Sequence, residues 1–228
     1  MCKTLSAGRV FILNRLMNPA AIEYACLEAG ASETTIRKLC EDAWIRQFGA
    51  IAVAPTFTAY AKEMLEFCPF KINIITVAGF PFGYSTTRTK LAEADEALTQ
   101  GADEIQVSLN ISQFKSMAYL SIREELRQLA VLVHDRGKLL TVCIETGLLD
   151  SFDLYTACEL CTEASTDFVK TASGFFPADH GIQVVSKIRS ILPANVRLSV
   201  FNGPGTTIQE LLDAGANRVA LAFGNLPG

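Results

Sequence analysis

Phe152-Asp-Leu-Tyr-Thr-Ala-Cys-Glu-Leu-Cys-Thr-Glu-Ala-Ser-Thr-Asp-Phe-Val-Lys-Thr171 changes periodicity once, at Ala164. Up to Glu163 the apolar residues recur at three- and four-residue spacing, as on an amphipathic helix. Ala164-Ser-Thr-Asp167 stops that pattern, and Phe168 to Thr171 then reads as a short, apolar strand. The same punctuation recurs as Gln100-Gly-Ala-Asp103 and Ala214-Gly-Ala-Asn217, and glycine is the expected residue just past a helix C-terminus. Short apolar segments alternate with helical ones along the whole chain, the pattern of a parallel α/β fold. Strands are expected at 22–26, 51–54, 73–77, 104–109, 139–144, 168–171, 197–200 and 218–222, and helices at 33–47, 86–100, 117–135, 152–163, 181–190 and 207–214. Eight strands in 228 residues fit a closed (β/α)8 TIM barrel. An open dinucleotide-binding sheet would show Gly-x-Gly-x-x-Gly at its first strand–helix turn, and residues 22–35 contain nothing of the kind. No linker or charge block interrupts the series, so residues 1–228 are expected to form a single domain, with an N-terminal helix at about 6–17.

Composition narrows the function classes. Half of the residues are hydrophobic and 19% are charged, enough for a continuous core. A net charge of −4, a pI near 5.3 and no Lys/Arg-rich run exclude a nucleic-acid partner. The longest apolar runs, such as 72–78, are far shorter than a membrane span, and no signal-peptide core is present, so a cytoplasmic protein without a membrane partner is expected. The odd number of cysteines, seven, points to reduced, buried thiols. Cys158 and Cys161 have the spacing of a redox or zinc pair, but they lie in a helical stretch with no second pair, so no metal and no cofactor are expected.

Sites in such barrels lie at the C-terminal ends of the strands, and Lys170 stands at one of them. It is the only lysine inside an apolar strand segment; the other eight sit where an ammonium is expected to reach water. A partly desolvated lysine favours its neutral form, a free amine able to attack a carbonyl. The alternative is an ion pair, with Asp167 or Glu145 as partner. The strand ends supply further polar or small candidates: Glu23 and Glu28, Asn73 and Thr76, Gln106 with Ser108 and Asn110, Thr141 with Glu145, Ser199 with Asn202, and Gly224. Glu145 directly follows an aliphatic run, where a proton-transfer group would face the cavity.

Val77-Ala-Gly-Phe-Pro-Phe-Gly83, Lys90-Leu-Ala-Glu-Ala94, Gly101-Ala-Asp-Glu-Ile105, Ile144-Glu-Thr-Gly-Leu-Leu149 and Asp167-Phe-Val-Lys-Thr-Ala-Ser-Gly174 together resemble deoxyribose-phosphate aldolase, in order and spacing, from about Ile22 to Gly224. The resemblance implies an eight-stranded barrel and a metal-independent class I aldolase that cleaves 2-deoxyribose 5-phosphate to glyceraldehyde 3-phosphate and acetaldehyde. It places the Schiff-base nucleophile at Lys170. The family's relay aspartate falls on Gln106, whose amide cannot exchange a proton at neutral pH, so Glu145 or an ordered water would replace it. The family's second lysine falls on Arg197 or Ser199, and its fifth-strand lysine on Thr141. Catalytic roles therefore go to Lys170, Glu145, Gln106 and Ser199. Substrate binding goes to Glu23, Thr141, Thr171, Gly174, Asn202, Gly203, Gly205 and Gly224. The phosphate region is altered: Phe175 follows Gly174, Asn202-Gly-Pro-Gly205 replaces a basic glycine turn, and Ala222-Phe-Gly224 replaces a serine-bearing one. The expected substrate is a small aldehyde or sugar phosphate; the alternative is a catalytically impaired barrel that binds a metabolite or a protein. The six residues after Ala222 are too few for an eighth helix, so the flank of strands one and eight is expected to be covered by residues 6–17 or by a second subunit of a homo-oligomer.

Overall fold

In the computed structural model of the protein, which describes residues 18–178 and 181–226, the three helix stops are built alike. Gly101 (φ +103°), Ser165 (φ +61°) and Gly215 (φ +109°) each take the chain through the left-handed region. Two residues later Asp103, Asp167 and Asn217 accept the backbone N–H of Ile74, Leu140 and Leu198 at 3.2, 2.8 and 2.8 Å. Their own amides donate to the carbonyls of the same three residues at 2.8, 2.9 and 2.8 Å. Each repeat therefore docks a helix–strand loop onto the entrance of the preceding strand, which sets where the next strand enters the sheet.

The strands β1 (Ile22–Cys26), β2 (Ala50–Val53), β3 (Asn73–Ala78), β4 (Glu104–Ser108), β5 (Leu139–Cys143), β6 (Phe168–Lys170), β7 (Arg197–Phe201) and β8 (Arg218–Ala222) pair in parallel in that order, and β8 pairs back onto β1. Every expected strand lies within one residue of its observed bounds. The helices are α1 (Glu33–Arg46), α2 (Thr58–Met64), α3 (Thr87–Thr99), α4 (Ile111–Lys115), α5 (Tyr119–His134), α6 (Ser151–Glu163), α7 (Ile182–Ile191) and α8 (Ile208–Asp213). Ser32, Asp150 and Thr207 start α1, α6 and α8 with reciprocal capping boxes. Helices α2 and α4 were not anticipated, because seven and five residues are too short to display a helical period. The expected helix at 117–135 begins instead at Tyr119, after Met117 turns at φ +56°.

Side chains alternate across each strand. The outward set, including Tyr24, Ile51, Ile74, Val107, Val142 and Val200, is buried in the main core beneath the helices. Inside the barrel, Ala50, Ala52 and Ile75 form a separate small apolar cluster with Ala25 packed against it. Much of the remaining interior is polar, built from Glu23, Glu104, Gln106, Thr141, Lys170, Ser199 and Arg218. Thr76, a strand-end candidate, belongs to the outward set: its hydroxyl donates to Val53 O at 3.0 Å.

Lys90 corrects the expectation that every lysine other than Lys170 reaches water. It is fully buried on α3, where Nζ donates to Glu125 Oε1 at 2.6 Å and to Ser108 O at 3.0 Å. Burial pushes its pKa below the ordinary lysine value, against the opposing pull of Glu125. Its stem runs past Gly79, where a Cβ would lie 2.7 Å from Lys90 Cε. A helical position gave no warning, because its partner is contributed by α5, 35 residues away. Lys90→Met should lower the unfolding free energy by about 3–5 kcal/mol, since it leaves Glu125 buried without its cation. Lys90→Met with Glu125→Leu should recover most of that in urea denaturation, and a single-variant loss below about 1 kcal/mol would show that the pair does not sustain the fold.

Among the described residues no helix follows β8; Phe223 N donates to Ala25 O at 2.7 Å and the chain turns at Gly224. The helix expected at 6–17 lies outside the described residues. No helix among the described residues is long and apolar enough to cross a membrane.

Candidate active site

Strand alternation brings Glu23, Glu104, Gln106, Thr141, Phe168, Lys170, Ser199 and Arg218 to the barrel interior, all of them buried. Lys170 Nζ donates to Glu23 Oε1 at 2.5 Å and to Gln106 Oε1 at 2.8 Å. The partner is thus neither Asp167 nor Glu145. Asp167 faces the opposite end of the barrel and pairs with His134 at 2.9 Å, and Glu145 is held by other donors. Glu23 Oε2 accepts the Ser199 hydroxyl at 3.4 Å and lies 3.2 Å from Arg218 Nε. Arg218 also forks onto Glu104, with Nη1 2.7 Å from Oε2 and Nη2 2.5 Å from Oε1, and Thr141 donates to Glu104 Oε1 at 2.5 Å. The guanidinium carbon of Arg218 stands 4.1 Å from the Phe168 ring centroid. Two carboxylates and two cations are therefore interleaved as Lys170, Glu23, Arg218, Glu104.

Burial alone would raise the pKa of Glu23, but the Lys170 ammonium and the Arg218 guanidinium outweigh it and hold the carboxyl below its usual range. Burial alone would likewise weaken Arg218 as a cation, and the Glu104 carboxylate more than reverses this. A carboxyl depressed in the folded state contributes stability that is fully present above its unfolded pKa, about 4.3. That stability is lost as pH falls through the lower folded value. Asp103, held low against burial by Lys138 and Lys71, acts in the same direction. Urea midpoints should therefore fall steadily below about pH 4. In Glu23→Gln the fall should be shallower, and an unchanged slope in that variant would show that Glu23 carries none of it.

Glu145, two residues beyond β5, lies in the left-handed region at φ +52°. Its Oε1 accepts Ser173 N at 2.8 Å and the Cys143 thiol at 3.3 Å, while Oε2 has no hydrogen-bond partner among the described residues. Burial, reinforced by Glu145, drives the Cys143 thiol well above its ordinary pKa, so it stays a donor. Gln106 Nε2 and Ser108 Oγ are also buried and without a partner among the described residues. Cys143 is the register neighbour of both Ser108 and Lys170, so these open polar groups flank the lysine on its β4–β5 side.

The remaining candidates divide. Thr141 and Ser199 join the charge network through Glu104 and Glu23. Thr171 turns away from Lys170, and its hydroxyl accepts Phe201 N at 3.1 Å. Gly174 (φ +88°), Gly205 (φ +95°) and Gly224 (φ +87°) occupy left-handed turns, and Gly224 N donates to Tyr24 OH at 3.0 Å. Asn202 N bonds Ala220 O at 2.9 Å, and Gly203 beside it is buried. Asn110 caps α4. The thiols of Cys158 and Cys161 are buried in α6, free, and raised in pKa by burial, so they form part of the core. Sequence reasoning passed over Glu104 and Arg218, which bind the network together. The signal was present in β4, where polar Glu104, Gln106 and Ser108 alternate with apolar Ile105, Val107 and Leu109.

No family model matches the chain. Similar proteins agree with one another. Deoxyribose-phosphate aldolase from Caldanaerobacter subterraneus subsp. tengcongensis is 35% identical over 213 residues, covering 92% of this chain and 91% of its own. The solved structure described as QR15, an aldolase, superposes with a TM-score of 0.82 at 29% identity, over 89% of this chain and 90% of its own. Tetrameric deoxyribose-phosphate aldolase from Aeropyrum pernix has the same fold, with a TM-score of 0.81 at 24% identity over 95% and 94%. With identity above three in ten along nine-tenths of both sequences, and with the same closed barrel, the chain belongs to the deoxyribose-phosphate aldolase family.

Proposed function

We propose that this protein is a class I aldolase, a carbon–carbon lyase for a small hydroxy-aldehyde, with Lys170 as its Schiff-base nucleophile. The observation that carries this reading is the contact between Lys170 Nζ and Glu23 Oε1 inside the barrel, which gives the ammonium an acceptor for its proton at 2.5 Å. The amine so formed adds to the substrate carbonyl, and the carbinolamine loses water to give an iminium. The iminium draws in the electron pair of the neighbouring carbon–carbon bond as the β-hydroxyl loses its proton and becomes the carbonyl of the first product. Protonation of the enamine and return of water release the second. Glu145 Oε2, the open carboxylate oxygen on the β4–β5 side, takes the hydroxyl proton directly or through water. Gln106 holds Nζ through its carbonyl oxygen and transfers no proton. Ser199 and Arg218 orient Glu23.

Incubation with acetaldehyde and borohydride should add mass at Lys170 and at no other lysine. Because the two cations keep Glu23 a weak base, trapping should be faster in alkaline than in neutral buffer, where solvent base takes over proton removal. Adducts confined to surface lysines would overturn the assignment. The enclosure of Lys170, 1% exposed and bonded to two acceptors, favours a second reading, a barrel that binds a metabolite without turnover; Lys170 would then remain unmodified at every pH. We further infer a homo-oligomer, by analogy with the tetramer described for the Aeropyrum relative, to be checked by sedimentation velocity.

A further inference from the structure

The mouth of the barrel directly above Lys170 is apolar. Ala25, Phe201 and Ala222 each stand two residues beyond an interior residue of the same strand, Glu23, Ser199 and Ala220, so they form the next interior layer, about 7 Å higher. This layer lines a cleft of about 200 Å³ with Leu27, Phe175 and Phe223. Among the described residues the one charged side chain on the cleft is a carboxylate, Glu28, and no lysine or arginine lines it. The Phe201 ring lies over Gly174, where an added Cβ would sit 2.6 Å from Cζ, so the ring fills the space from which a ligand would approach that backbone. Five amides around the mouth are engaged within the protein: Ser173 N with Glu145, Phe175 N with Ser173 Oγ, Phe201 N with Thr171 Oγ1, Phe223 N with Ala25 O and Gly224 N with Tyr24 OH. A phosphate placed here would meet a carboxylate and three phenyl rings, with the Ser173 hydroxyl as one side-chain donor and none of these five amides free to replace its water. Toward β4 and β5 the chemistry differs: Gln106 Nε2, Ser108 Oγ and Glu145 Oε2 are buried without a partner among the described residues, as are Asn202 Oδ1 and Thr206 Oγ1 in the loop after β7, which do not line the cleft.

We propose that this cleft takes an uncharged hydrocarbon group, so that the substrate is a hydroxy-aldehyde with a short alkyl or aryl tail in place of a phosphate. The inference rests on the Lys170 reading and adds the substrate class. The hydroxyl end lies toward β4 and β5, the carbonyl at Lys170, and the tail between β6, β7, β8 and β1.

The test is aldol addition with acetaldehyde as donor and propanal, butanal, hexanal or glyceraldehyde 3-phosphate as acceptor. The expected result is a kcat/KM that climbs about fourfold per added methylene until the cleft is full. Hexanal should then exceed glyceraldehyde 3-phosphate by at least tenfold. Glu28→Arg, an exposed substitution outside the reaction machinery, should narrow that ratio by supplying the missing cation. Calorimetric titration with two unreactive probes, hexan-1-ol and glycerol 3-phosphate, reads the cleft without any chemistry. Hexan-1-ol should bind and Phe201→Ala should weaken it. Preference for glyceraldehyde 3-phosphate, or tighter binding of glycerol 3-phosphate than of hexan-1-ol, overturns the proposal. Failure of the Lys170 reading appears separately, as absence of the borohydride adduct while the probe affinities still decide the nature of the cleft.

Discussion

Arg218→Met should destabilise the protein by at least about 3–5 kcal/mol, the range for removing one partner of a buried ion pair. Two buried carboxylates depend on this one guanidinium: Glu104 loses both of its fork bonds and Glu23 loses one of its two cations. Methionine fills similar volume but offers no donor, so neither carboxylate regains a partner. The same substitution removes the group that helps hold Glu23 ionised, and the carboxyl should then accept protons at higher pH. The measurement is urea denaturation at neutral pH, repeated at about pH 5, where protonation of the stranded carboxylates should shrink the deficit relative to the parent protein. A variant within about 1 kcal/mol of the parent at neutral pH would show that the fork onto Glu104 is not needed for folding. Glu104→Gln with Arg218→Met should lie closer to the parent than Arg218→Met alone, because one of the stranded charges is gone.

Lys170→Met should abolish both borohydride trapping and carbon–carbon cleavage. Loss of a covalent nucleophile elsewhere has cost on the order of 10⁶ in turnover. Its structural penalty should be smaller than that of Arg218→Met, since Glu23 keeps Arg218 at 3.2 Å and the Ser199 hydroxyl at 3.4 Å. Activity lost with most of the stability retained would separate a chemical role from a structural one. Residual cleavage above one part in about 10³ of the parent rate would mean that a different group carries the reaction.

Much of the barrel is legible in the amino-acid sequence. Strand positions came from short apolar segments and helix ends from three repeated stops, and both signals are local: a Gly or Ser that tolerates positive φ, followed by an Asp or Asn that docks on the preceding strand. The two short helices, α2 and α4, carried no such signal. The importance of Lys170 was also legible, because a lysine in an apolar strand is chemically conspicuous.

The partners of that lysine were not legible. Nearby acids, Asp167 and Glu145, were the natural candidates in sequence, yet the ion pair is made with Glu23, 147 residues away. Closure of β8 onto β1 brings Glu23 around the barrel to Lys170, and the same closure places Arg218 between Glu23 and Glu104. The burial of Lys90 was hidden for a similar reason, since its counter-charge comes from a different helix. By itself, then, the sequence determined the alternating elements, the barrel and the family, because each is encoded in residues close together along the chain. Only the tertiary structure decided which charges meet, which amides are already engaged and which face of the mouth is apolar, because those depend on which strands become neighbours when the sheet closes.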